Sequence, residues 1–128
     1  MFLPAGLLAF QNEPDGYNGI KYGTDISTLK NMQYEKVDPN KSNVTVYARE
    51  GDVLTLGNAS LKSIEYGFFG GRFLTVIIKV ADLFNYIVLK ESVFEKFGQG
   101  IEFDQFSERY YWDGSTTRIT LVSAFDLS

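Results

Sequence analysis

Residues 64–80, IEYGFFGGRFLTVIIKV, decide the fold because two β-type runs flank a pair of adjacent glycines. Gly70 and Gly71 allow two interpretations, namely a glycine-rich loop that cradles a ligand or a tight turn between strands. A phosphate-binding loop leads from a strand into the N-terminus of a helix. Here the sequence after the glycines is again of β type, so it predicts a hairpin turn.

Two hairpin registers fit this stretch. A two-residue loop of Gly70 and Gly71 would place Ile64 opposite Ile77, whereas a three-residue loop with Gly71 in a left-handed bulge position would place Ile64 opposite Val76. A slip of one residue turns every side chain to the other face, so the apolar pattern should choose the register. We predict the three-residue loop, because it gathers the apolar residues on one face: Ile64, Tyr66, Leu74, Val76, Ile78 and Val80.

Two helices are predicted outside this hairpin. Apolar residues at helical spacing indicate a long helix that ends at Gly98, a residue suited to a left-handed C-terminal cap. A short helix is expected to end near Met32. Polar residues are available as N-caps, which are Asp82 or Asn85 for the long helix and Asp25 or Ser27 for the short one.

Alternating or β-rich runs predict further strands at residues 32–38, 44–50, 108–112 and 117–125. The last two are joined through Asp113-Gly114, a strong hairpin signal. Neighbouring strands linked by short turns pair antiparallel. The expected fold class is therefore α+β, with a single antiparallel β-sheet on which one long and one short helix pack.

Composition excludes several classes of function. The chain has 128 residues, a net charge of −4 and neither Cys nor His. The acidic balance argues against nucleic acid as a partner and against binding to an anionic membrane surface. Without Cys and His there is no zinc site of the usual kind, no cysteine nucleophile and no Ser-His-Asp triad. No cofactor is expected, and a non-enzymatic role is favoured.

The N-terminal segment differs from the rest of the chain. The first ten residues, MFLPAGLLAF, are almost wholly apolar, and loop-forming residues follow. The apolar run is too short to span a bilayer, and it has no basic residue at its start. We expect residues 1–18 to be a signal remnant or a flexible end, and residues 19–128 to form a single α+β domain.

The strand ERYYWDG, residues 108–114, is the best candidate for a binding site. On a strand, Tyr110 and Trp112 point to one face and Arg109 and Tyr111 to the other. An exposed aromatic set beside an arginine would bind a sugar, a peptide or a protein surface; the alternative is that Tyr110 and Trp112 belong to the core. The candidate ligand-binding residues, including two at the tip of the central hairpin, are Arg109, Tyr111, Trp112, Phe69 and Arg72.

Carboxylates are the remaining candidates for catalysis. Glu102, Asp104, Glu108 and Asp113 lie close together in sequence. Two of them facing each other across a cleft would suit a hydrolase of the glycosidase type. With 16 acidic residues in the chain, such neighbours also arise by chance on a solvated surface.

Four segments, GIKYGTDIS, IEYGFFGGRFLTVIIKV, LKESVFEKFGQG and RYYWDGSTTRITL, carry a family resemblance. In this order the chain resembles a group of small, uncharacterised bacterial proteins, often with an N-terminal export signal, over about Gly19 to Phe125. The resemblance implies an α+β sheet domain in a bacterial, extracytoplasmic setting. It implies no activity and no site residue.

The sequence leaves three functional hypotheses. The leading one is a non-enzymatic binding or interaction module of the bacterial envelope, periplasmic or extracellular, with a cytoplasmic location as the alternative. Its partner would be an unidentified protein or small-molecule ligand, and no stable membrane span is expected. The second hypothesis is a structural protein that assembles as a homodimer or larger homo-oligomer through a sheet edge or an aromatic face. The third is the carboxylate-dependent hydrolase.

Overall fold

A computed structural model gives the fold and describes residues 10–102, 109–114 and 117–122. The chain divides into two compact units. One unit comprises residues 16–55 and 60–80, and the other comprises residues 1–15, 56–59 and 81–128. We call them the sheet unit and the helix unit and describe each by itself. The expectation of a single domain over residues 19–128 stays a prediction.

The sheet unit consists almost entirely of antiparallel strands. A two-stranded ribbon forms around Asn18 and Gly19, whose φ angles of 53° and 84° are those of a tight hairpin turn. A five-stranded sheet follows, in which β4 and β7 flank the long central strand β6. The strands that lie wholly or partly in this unit are β1 (Gly16–Tyr17), β2 (Ile20–Lys21), β3 (Met32–Asp38), β4 (Lys41–Arg49), β5 (Thr55–Leu56), β6 (Ala59–Phe69) and β7 (Arg72–Val80).

The central hairpin confirms the turn at the glycines but not the predicted register. Phe69 pairs with Arg72, so the loop has two residues, and Gly70 and Gly71 have φ angles of 58° and 81°. The prediction of a three-residue loop is therefore wrong. The predicted apolar face survives only in part, because Leu74 is an extra residue in β7 that shifts the register. Leu74 itself, which was expected on that face, is 48 % exposed. Beyond this bulge the paired residues are again those of the apolar face, with Tyr66 opposite Val76 and Ile64 opposite Ile78.

Aromatic rings form the core of the sheet unit. Tyr66, Phe68 and Phe73 are almost fully buried, and their ring centroids lie 5.6–5.8 Å apart along the chain of contacts. Tyr22 stacks on Phe73 at 5.0 Å, and Tyr17 lies 6.4 Å from Tyr66. The ribbon of β1 and β2 and the turn after it thus cover one face of the five-stranded sheet.

The helix unit combines one helix with a three-stranded sheet. Helix α1 (Leu83–Phe97) begins at Asp82, whose carboxylate accepts a hydrogen bond from the Asn85 N–H at 2.8 Å, and ends at Gly98 with φ 86°. Both caps confirm the sequence prediction. The sheet has the order β10-β9-β8 and is antiparallel. Its strands are β8 (Ile101–Glu102), β9 (Arg109–Asp113) and β10 (Arg118–Val122).

The α+β class is confirmed, with two corrections. The described residues form three antiparallel sheets rather than the expected single sheet. The expected short helix is only a 3-10 turn at Ile26–Thr28. Asp25 caps its start, and it ends early because Leu29 is already extended. In the described ranges, no helix has the length and apolar character needed to cross a bilayer.

Candidate functional site

Strand β9 turns Tyr110 and Trp112 toward helix α1. The Phe94 ring contacts both of them edge-to-face, with centroids 5.2 Å and 5.3 Å away. Trp112 is only 3 % exposed, and its indole N–H donates to the Gly98 carbonyl at 2.9 Å. The one polar group of the indole therefore has a hydrogen-bond partner, and the rest of the ring packs in the core. Trp112 accordingly offers no exposed surface to a ligand.

The opposite face of the three-stranded sheet is exposed. Residues paired across antiparallel strands share a face, and Tyr111 pairs with Thr120 on one side and Ile101 on the other. Ile101 is 56 % exposed and Val122 is 43 % exposed. We call this surface the outer face. Its residues are Ile101, Arg109, Tyr111, Asp113, Arg118, Thr120 and Val122.

Arg118 holds the middle of the outer face in one arrangement. Its Nε and Nη2 donate to the two carboxylate oxygens of Asp113 at 2.5 Å and 2.7 Å. Its guanidinium carbon lies 5.0 Å from the centroid of the Tyr111 ring, as in a cation–π contact. The hydrogen bonds from Arg118 lower the pKa of Asp113 below its ordinary value. A bidentate pair of this kind fixes the plane of the guanidinium group.

A shallow depression lies on this face. Its volume is about 180 Å³, and it is lined by Arg109, Tyr111, Arg118, Thr120 and Val122. Pockets that enclose a drug-sized molecule occupy roughly 300–1,000 Å³. The depression therefore has room for one side chain or one small anionic group, held between two guanidinium groups, a phenol ring, a hydroxyl and an apolar side chain.

The structure separates the predicted ligand-binding residues into three places. Arg109 and Tyr111 lie together on the outer face, and Trp112 lies beneath them in the core. Phe69 and Arg72 belong to the sheet unit, where they form the pair that closes the central hairpin. Phe69 is 54 % exposed there, and Arg72 donates to the Gly23 carbonyl at 3.1 Å.

Sequence reasoning missed the residues that β10 contributes. The sequence pattern predicts Arg118, Thr120 and Val122 only as part of a strand, although they line the depression with Arg109 and Tyr111. A signal was present, because the hairpin at Asp113-Gly114 makes β10 pair with β9. Alternation on both strands then places every second residue of β10 beside Arg109 and Tyr111.

The carboxylates proposed for catalysis do not form a facing pair among the described residues. Glu102 pairs with Tyr110 and so shares the face that carries Tyr110 and Trp112. Asp113 pairs with Arg118 on the outer face. These two acids thus lie on opposite faces of the sheet. Asp104 and Glu108 lie outside the described residues.

A second polar cluster lies in the sheet unit and serves a structural purpose. The buried Tyr66 hydroxyl donates to Asp52 at 2.6 Å. The Asn18 side-chain amide donates to the Tyr66 oxygen at 3.2 Å and to the other Asp52 oxygen at 3.1 Å. Burial, together with the Asp52 carboxylate, raises the pKa of Tyr66 to about 12. A phenol with so high a pKa stays protonated at neutral pH and is not available there as a general base. Its hydrogen bonds instead fasten the β1–β2 turn to β6.

No group of three or more acidic residues with the spacing of a metal site occurs in the part of the chain that the structure describes. Comparison of the chain with profiles of known protein families, with curated protein sequences and with solved structures finds no match.

Proposed function

We propose that the chain is a non-enzymatic binding module that recognises a peptide segment of a protein partner through the outer face. One observation carries the proposal: Arg109, Tyr111 and Arg118 line a single exposed depression on a regular strand pair. Tyrosine and arginine are among the residue types most enriched in binding hot spots, because each combines a large contact area with hydrogen bonding.

The rigidity of the face supports binding of this kind. The Phe94 and Trp112 rings pack behind it, and Arg118 is held by Asp113. Groups that are ordered before binding lose less conformational entropy when a partner arrives. The small volume of the depression favours a partner that inserts one side chain and lies across the rest of the face.

We place this module in the bacterial envelope, in the periplasm or outside the cell. The resemblance of the four quoted segments to small exported bacterial proteins supports this setting. A cytoplasmic location is the alternative. Fractionation of bacteria that express the full chain would decide between them, and recovery with the cytosol would contradict the proposed setting.

Selection from a phage-displayed random peptide library on the immobilised full chain tests the proposal. Selected peptides are synthesised, and their dissociation constants are measured on the wild type and on variants. We expect Tyr111→Ala and Arg109→Ala to weaken binding about tenfold or more, as for truncation of hot-spot residues.

The matched control is Tyr34→Ala. Tyr34 is 59 % exposed on β3 in the sheet unit, so the same truncation there should leave peptide affinity unchanged. Selected peptides that bind wild type, Tyr111→Ala and Arg109→Ala equally well would show that recognition does not use the outer face, and the proposal would fall.

A further inference from the structure

In the described part of the chain, the strand that supplies half of the depression lies at an edge of its sheet. Among the described residues, β10 pairs with β9 alone, because the sheet order is β10-β9-β8. The pairing from Arg118 to Val122 runs without a register shift. An edge of this kind presents a regular row of backbone donors and acceptors, which is a template for another strand.

The backbone groups at this edge can be assigned. The Gly114 N–H donates to the Thr117 carbonyl at 2.8 Å. In an antiparallel ladder such bonds alternate, so Ile119 and Leu121 are the β10 residues that bond to β9. The N–H and C=O groups of the intervening residues point away from β9: Arg118, Thr120 and Val122. These residues are also the ones that line the depression.

Another edge strand of the protein has irregular pairing that β10 lacks, although β10 also carries one charge, Arg118. Strand β3, at one end of the five-stranded sheet, has two register shifts in its pairing with β4. It also carries Glu35 and Lys36. Bulges and charges of this sort are the usual means by which an edge is made unsuitable for further pairing. Strand β10 has a regular ladder, no proline and no lysine.

Charge indicates what kind of strand fits beside β10. The outer face carries the guanidinium groups of Arg109 and Arg118 and one carboxylate, Asp113. Among the described residues of this face the arginines thus outnumber the carboxylate by one, whereas the whole chain has a net charge of −4. A partner strand with acidic side chains is complementary to this face. A second copy of this acidic chain is disfavoured by charge.

We infer that an extended acidic peptide adds to β10 as a fourth strand, antiparallel to it. The peptide residue opposite Thr120 exchanges both backbone hydrogen bonds with it, and its side chain lies on the outer face next to the depression. Acidic residues at alternate positions reach the guanidinium groups, while main-chain bonds supply affinity. This inference rests on the proposed function and names the class of partner.

The test uses a fluorescein-labelled peptide in which glutamate alternates with threonine, with blocked ends, and measures anisotropy with the full chain. Two derivatives are N-methylated, one on every glutamate and the other on every threonine. For antiparallel addition the glutamate N–H groups face β10, so methylating them should weaken binding about tenfold or more, since several backbone hydrogen bonds are lost. Methylating the threonines should have no such effect.

A protein variant tests the same edge from the other side. Thr120→Pro removes an N–H that makes no bond to β9, and proline is tolerated at such positions of edge strands. We expect Thr120→Pro to abolish binding of the glutamate peptide and to leave the circular dichroism spectrum unchanged. Glu35→Pro, at the bulge of edge strand β3, is the matched control and should bind as wild type does.

The outcomes separate this inference from the proposed function. If neither methylation pattern nor Thr120→Pro changes the dissociation constant of the glutamate peptide, strand addition is overturned. The proposal that the outer face is the binding surface would remain. A dimer in sedimentation that Thr120→Pro dissociates would assign the edge to a second copy and overturn the acidic partner. If the glutamate peptide does not bind but library peptides remain sensitive to Tyr111→Ala, the inference fails and the proposed function stands.

Discussion

Removing one oxygen from the sheet unit tests how its β1–β2 turn is held. In Tyr66→Phe the ring and its contacts with Phe73 remain, and only the hydroxyl that donates to Asp52 at 2.6 Å is lost. A hydrogen bond to a charged group contributes about 1.5–3 kcal/mol, and Asn18 still holds the other Asp52 oxygen. We therefore expect the free energy of unfolding to fall by about 2 kcal/mol.

Urea unfolding followed by far-UV circular dichroism measures this change. For a chain of 128 residues, 1 kcal/mol corresponds to roughly 4 °C in Tm, so a thermal melt should shift by about 8 °C. Tyr34→Phe makes the same chemical change at an exposed site, and it should stay within about 0.5 kcal/mol of wild type. If Tyr66→Phe falls within that range as well, the cluster does not fasten the turn.

The pH dependence of the same variant has a definite sign. Because the pKa of Tyr66 is raised to about 12 from its ordinary value of 10.0, the folded protein retains this proton more tightly than the unfolded chain does. The resulting stability is fully present below pH 10 and is lost as the pH rises from about 10 to about 12. The stability difference between wild type and Tyr66→Phe should shrink over that interval and stay constant between pH 7 and 9.

Two further predictions concern the helix unit. Gly100→Ala should lower the free energy of unfolding by about 1–3 kcal/mol, because the added Cβ would lie 2.7 Å from a ring atom of the buried Trp112. The neighbouring change Gln99→Ala is the control and should be nearly neutral. Equal urea midpoints for the two variants would contradict this packing. Asp82→Ala should lower the free energy of unfolding by about 1 kcal/mol, because it removes the N-cap of α1. Asp82→Asn keeps a hydrogen-bond acceptor and should retain most of the stability. A loss in Asp82→Asn as large as that in Asp82→Ala would show that the cap does not act through its hydrogen bond.

The local signals in the sequence were sufficient for the helix and for most strands. Asp82 and Gly98 fix the ends of α1 because each satisfies backbone groups that the helix leaves open. The double glycine likewise fixes a turn. The register failed because the extra residue Leu74 lies in β7, and a bulge is set by how the pair of strands packs rather than by turn chemistry. The hairpin at Asn18-Gly19 is absent from our sequence prediction, which has only a loop there, although Asn-Gly is a strong turn signal.

The sequence predicted the two sets of side chains on β9 but not which set is exposed. Alternation along β9 separates Arg109 and Tyr111 from Tyr110 and Trp112, but it does not say which pair faces the core. Helix α1 decides this, since Phe94 contacts Tyr110 and Trp112. How many sheets the strands form was also beyond local patterns, because strand partners depend on contacts between residues far apart in sequence.

Strand β9 buries position 112 and presents position 111 on the outer face. Acrylamide quenching of a single tryptophan tests it directly, because the wild type has only Trp112. The double variant Tyr111→Trp/Trp112→Phe moves that tryptophan by one residue. We expect blue-shifted, weakly quenched emission from wild type and red-shifted, strongly quenched emission from the folded double variant. Equal protection at both positions, or strong quenching of Trp112, would contradict the claim.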